Sequence, residues 1–139
     1  MKRSDLNAIA FALLALVPLS CQTIGVARQK GGYAEVAPAV AHEMMLDNIQ
    51  LVVLDIRDLQ SYRARHIAGS ISTPLSTIEM RLAELLPYAT TTVLVYSDNQ
   101  EESARGARLL VAAGFRNIVR ITGGLDEWTR LGYPTVSSE

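Results

Sequence analysis

Apolar positions along this chain form two patterns, short unbroken runs and stripes repeating every three or four residues. Leu51 to Leu54 and Thr92 to Tyr96 are runs of the kind a central parallel strand needs, because helices cover both of its faces. Asn117 to Ile121 reads as a third strand, and a shorter one lies near Ser70 to Ser72. The stripes fall between these runs. Pro38 suits the first turn of a helix whose buried stripe is Val40, Met44 and Met45. Asp58 is placed to cap a helix running to about Arg65. Pro74 opens another, with Leu75, Ile78, Leu82 and Leu85 on one face. Ser103 to Ala113 is a helix stopped by Gly114, and Leu125 to Leu131 a last one ended by Gly132 and Pro134. Strands alternating with helices predict an α/β fold, a mostly parallel sheet flanked by helices on both faces.

The first twenty residues belong to a different pattern. Lys2 and Arg3 precede an apolar run from Leu6 to Leu19 that only Asn7 interrupts. A membrane-spanning helix needs roughly 20 apolar residues, so the run predicts an export signal over residues 1–20. Leu19-Ser20-Cys21 resembles a lipoprotein processing site, with Pro18 where leucine is usual, and makes Cys21 the candidate lipidation site. Gly25-Val26-Ala27 offers ordinary cleavage instead, and an uncleaved anchor is the third reading. Either a lipid or an anchor would tether the domain to a membrane. Residues 21–33 read as a linker ending in the Gly31-Gly32 pair, and residues 34–136 as the domain.

Composition narrows the chemistry. The 139 residues allow one domain, and the net charge of −1 offers no basic patch for nucleic acid. Without residues 1–20 the chain keeps 11 basic residues (13 less Lys2 and Arg3) and 13 acidic ones (14 less Asp5), a charge of −2. Cys21 is the single cysteine, so the domain has no internal disulfide.

Ligands of an open α/β sheet bind at the carboxyl ends of its strands. Ser97-Asp98-Asn99-Gln100-Glu101-Glu102-Ser103 stands there, between the strand ending at Tyr96 and the next helix. Its carboxylates suit the start of a helix, at about 0.5–1 kcal/mol each, or a binding role toward a protein or a cation. No histidine supports a metal site, and no cofactor motif is present.

Three blocks carry a family likeness. Leu54-Asp55-Ile56-Arg57-Asp58, His66-Ile67-Ala68-Gly69-Ser70 and Ile121-Thr122-Gly123-Gly124-Leu125-Asp126-Glu127-Trp128 resemble the rhodanese homology domain in order and spacing. The resemblance implies a three-layer α/β fold and a loop after Tyr96 that curls round a sulfur-bearing cysteine. Here that position is Ser97, and a serine hydroxyl, un-ionised near neutrality, forms no persulfide. The family's active single-domain members commonly carry a basic residue near Asp98 and Glu102. With Asp98, Glu101 and Glu102 all within about 10 Å, each would cost a thiosulfate dianion about 1 kcal/mol or more. The resemblance makes Asp55, Arg57, His66, Gly69, Gly123 and Gly124 structural; Trp128, after the Gly123-Gly124 turn, reads as a core anchor, and His42, in the first helix, as a surface residue rather than a ligand.

These readings predict an exported, membrane-tethered rhodanese-like domain lacking the catalytic cysteine. Its expected role is that of a non-catalytic binding or regulatory module with a protein partner in the cell envelope, the periplasm included. One alternative is a sulfurtransferase-related protein working with a partner's thiol. The other is a Ser97 hydrolase using His66, for which the chain offers no nucleophile-elbow sequence.

Overall fold

The computed structural model describes residues 28–47 and 50–138. The signal segment, Cys21 and linker residues 21–27 therefore lie outside the described residues. Strands β1 (Arg28–Lys30), β2 (Tyr33–Val36), β3 (Val52–Asp55), β5 (Ile71–Ser72), β6 (Thr92–Tyr96) and β7 (Asn117–Ile121) form one sheet in the order β1-β2-β7-β6-β3-β5. Every pairing is parallel except that of β1 with β2. A separate antiparallel pair joins β4 (His66–Ile67) to β8 (Thr135–Val136). The helices are α1 (Pro38–Asp47), α2 (Leu59–Ala64), α3 (Leu82–Leu85), α4 (Gln100–Ala112) and α5 (Gly124–Arg130), with a 3₁₀ turn over Leu86–Tyr88.

Strand side chains alternate between the faces of the sheet, which splits the core in two. Leu54, Val93, Val95 and Ile118 pack under α3 and α4, against Ala107 and Leu110. Val53, Leu94, Tyr96 and Ile121 pack on the other face with Ala41 of α1 and Leu125 and Trp128 of α5. Helices thus cover both faces.

Local chemistry moved three boundaries from their sequence positions. Arg28–Lys30, assigned to the linker, form an edge strand in a hairpin whose two turn residues are Gly31 and Gly32, at φ +62° and +86°. Positive φ at both positions is what a two-residue hairpin turn demands. The helix expected from Pro74 is instead a chain of turns, and only Leu82–Leu85 is α-helical. Thr77 returns both its N–H and its hydroxyl to the Pro74 carbonyl, which closes a turn rather than starting a helix. Its apolar face still buries Ile78 and Leu85. Finally, α4 begins at Gln100 and not at Ser103, because the Asn99 side chain accepts from the Glu101 and Glu102 N–H groups and caps the helix. The loop after β6 shrinks to residues 97–99.

His42 is half-buried, not a free surface residue: its ring stacks on Tyr133 at 4.1 Å and meets Trp128 edge-on at 5.6 Å. Trp128 is 1% exposed, and its indole N–H donates to the Pro134 carbonyl. Among the described residues, no helix is long and apolar enough to cross a membrane.

Candidate functional site

The chain turns from β6 into α4 at the carboxyl end of the sheet, beside the turn from β3 into α2. A cleft of about 530 Å³ opens there. Ile56 and Leu75 give it an apolar wall; Ser97, Asp98 and Asn99 form its loop side; Asp58 and Ser61 line the α2 side, and Ser76 comes from the turns after β5. Glu102 and Arg105 reach it from the first turns of α4. The pattern of residues 54–58 marked the end of β3, but the chain gave no signal that Asp58, Ser61, Ser76 and Arg105 share this space.

Ser97 is 1% exposed. Its hydroxyl donates to Glu102 Oε2 at 3.1 Å and accepts from the Asn99 N–H at 3.3 Å. A hydroxyl has one proton to give, and here Glu102 takes it. Asp98 is placed quite differently. Its Oδ2 accepts from Arg57 at 3.1 Å and its Oδ1 from the Leu125 N–H at 2.9 Å, so it ties the loop to both β3 and the start of α5.

Behind the loop, Asp55 is fully buried beneath Arg57 and Tyr96. Arg57 meets Asp55 at 2.7–3.2 Å through Nε and Nη2, and Nη2 also donates to the Arg65 carbonyl at 2.6 Å. Burial works against the Arg57 charge, yet the Asp55 carboxylate, with Asp98 behind it, holds its pKa above the ordinary arginine value. The Tyr96 hydroxyl donates to Asp55 and accepts from the Ile67 N–H. Burial, then the Asp55 charge, pushes the Tyr96 phenol well up from its usual value.

The seven loop residues named from the sequence separate into two groups. Ser97, Asp98, Asn99 and Glu102 line the cleft. Gln100 and Ser103 turn toward the sheet, where Arg120 of β7 donates to Gln100 Oε1 at 2.7 Å and to the Ser103 hydroxyl at 3.0 Å. Arg120 also pairs with Glu35 of β2 at 2.9 Å, and this network, centred on the buried Arg120 and Ser103, pins the start of α4. Glu101 points outward to Arg108 at 2.8 Å. The expectation of three carboxylates facing one ligand is therefore corrected. Glu101 pairs with Arg108 outside the cleft, Asp98 shares Arg57 with Asp55, and Glu102 alone of the three makes no ion pair among the described residues.

His66 is 4% exposed, stacks on Tyr62 at 3.7 Å, and donates from Nδ1 to the Tyr62 carbonyl at 2.7 Å. No hydrogen bond joins it to Ser97, so the Ser97–His66 pair of the hydrolase alternative is not assembled. Gly69 lies in the turn between β4 and β5, Gly123 precedes α5, and Gly124 is its first residue. Among the described residues, no group of three or more His, Cys, Asp or Glu side chains is placed to hold a metal ion.

Residues 37–131 match the rhodanese-like domain family. Thiosulfate sulfurtransferase GlpE of Pseudomonas entomophila is 41% identical over 85 residues, which cover 60% of this chain and 73% of that protein. The putative sulfur carrier protein YrkF of Bacillus subtilis is 30% identical over 79 residues, 57% of this chain and only 42% of that longer protein. The solution structure of the rhodanese-like domain of the Anabaena Alr3790 protein superimposes with a TM-score of 0.69 at 26% identity, over 74% of this chain and 78% of that one. Sequence blocks, sheet order and these matches agree, and the chain belongs to the rhodanese-like domain family.

Proposed function

We propose that this rhodanese-like domain works without sulfurtransferase turnover, as a binding or regulatory module that presents the cleft around Ser97 to a protein partner. The single observation that carries this reading is the occupant of the loop after β6. Sulfur transfer needs a thiolate to attack the donor and hold the sulfur as a persulfide. The residue at the head of this loop is Ser97, its proton is held by Glu102, and residues 34–136 contain no cysteine. The scaffold around the loop is complete, with Asp55, Arg57, Asp98 and the α4 cap all hydrogen-bonded, which suits a surface kept for recognition. Export and tethering through Cys21 belong to the same proposal and would put the partner in the cell envelope.

A second reading has the cleft guide sulfur carried on a partner's thiol. The open cleft of about 530 Å³ and the likeness to a thiosulfate sulfurtransferase favour it. Thiosulfate-to-cyanide transfer by the purified full chain, alone and with a supplied thiol carrier, separates the two. Silence in both arms supports the binding module, and turnover only with the carrier supports the second reading.

A further inference from the structure

Three Glu/Arg pairs in this chain stand three residues apart: Arg81 with Glu84, Glu127 with Arg130, and Glu102 with Arg105. Two of them close into ion pairs, Arg81 to Glu84 at 2.9 Å and Arg130 to Glu127 at 2.5 Å. Pairing is the usual outcome at that spacing on a helical surface. The third pair is open. Glu102 turns to the Ser97 hydroxyl, and Arg105, at the same cleft, makes no ion pair among the described residues.

From this difference we infer that Glu102 is a built-in anion, an autoinhibitory contact that closes the cleft to small oxyanions. The inference rests on the reading of the cleft as a binding site. The buried Ser97 hydroxyl and the first turn of α4 both favour negative charge, and Glu102 supplies it from within the chain. A free oxyanion has to displace that carboxylate before it reaches the hydroxyl, and while Glu102 stays it meets a like charge at short range. Arg105 provides the place to which Glu102 can go. Swinging onto it forms the same pair already closed at Glu84 and Glu127, frees the Ser97 proton and removes the repulsion. Admission of an oxyanion is thereby coupled to one side-chain movement.

Sulfate titrated into the ¹⁵N-labelled full chain, followed at the amides of Ser97, Asn99 and Arg105, tests this. Glu102→Gln removes the charge and keeps the shape; Glu102→Ala removes both. Relative to the parent, Glu102→Ala should bind sulfate about tenfold tighter or more, with Glu102→Gln between them. Arg105→Ala, which leaves Glu102 no cation to swing onto, should bind sulfate more weakly than the parent, and Glu102→Ala/Arg105→Ala should bind it more tightly than Arg105→Ala alone. Equal affinities in parent and variants, or shifts confined to other parts of the molecule, would overturn the inference. The near-isosteric glutamine variant separates the loss of charge from any effect of alanine on the fold. Sulfate carries no transferable sulfane sulfur, so this result is independent of whether Ser97 supports sulfur transfer.

Discussion

Gly124 sits directly against Asp98: a β-carbon built on it would stand 2.9 Å from Asp98 Cα and 3.0 Å from the Ser97 carbonyl oxygen. The start of α5 thus packs backbone to backbone on the loop that carries the cleft. Gly124 also has φ +62°, a conformation that L side chains rarely adopt. Alanine there meets both problems, and the atoms it strikes are backbone, which cannot rotate away. Gly124→Ala should destabilise the domain by about 2 kcal/mol or more, seen as a lowered denaturant midpoint. It should also shift the amide signals of Ser97 and Asp98.

Asp98 has one oxygen on each of two partners, which lets single atoms be tested. Asp98→Asn keeps an acceptor for the Leu125 N–H and loses the charge facing Arg57; Asp98→Ala loses both bonds. Asp98 is half exposed, so solvent screens the ion pair. Alanine is expected to cost about 1–2 kcal/mol and asparagine about half that, read from denaturant midpoints.

Tyr96 gives the fold an alkaline limit. Its phenol is raised in the folded state by burial and then by Asp55, whereas in the unfolded chain it ionises near its ordinary value of about 10. A raised folded pKa makes a contribution to stability that is fully present below the unfolded pKa. Above pH of about 10 the unfolded chain releases the proton while the fold retains it, so stability falls by up to about 1.4 kcal/mol per pH unit from this group. Melting temperatures between about pH 8 and 11.5 should fall more steeply for the parent than for Tyr96→Phe. The variant itself should start about 1–2 kcal/mol less stable at neutral pH, having lost the bond to Asp55.

Tethering is tested through Cys21, which lies outside the described residues. In a bacterium fed a labelled fatty acid, the full chain should take up label and sediment with membranes, and Cys21→Ser should do neither. Uptake by the serine variant, or a soluble unlabelled parent, would contradict the proposed anchor.

What was legible in the sequence follows from where each signal resides. The runs at Val52–Asp55, Thr92–Tyr96 and Asn117–Ile121 announce central strands because burial on both faces leaves few other compositions possible. β1 carries no such mark, since Arg28-Gln29-Lys30 forms an edge whose pairing depends on the backbone. The Pro74 segment has a helical stripe but runs as turns as far as Arg81, and a stripe shows only which residues face the core. At the site, Ser97 was readable from its place after a buried strand. The role of Asp98 was not, because its partners Arg57 and Leu125 are 41 and 27 residues away. The same holds for Ser103 and Arg120, brought together only once β7 and α4 are packed.

In the proposed binding module Ser97 leaves the domain without sulfur transfer, and thiosulfate-to-cyanide transfer by the purified full chain measures that loss. Ser97→Cys and Ser97→Cys/Glu102→Arg are assayed beside the parent. The parent should be silent and the double variant active, since a thiol there replaces the hydroxyl and a cation replaces the carboxylate facing it. Turnover by the parent that disappears in Ser97→Ala would overturn the non-catalytic reading, since the Ser97 hydroxyl would then be carrying the reaction.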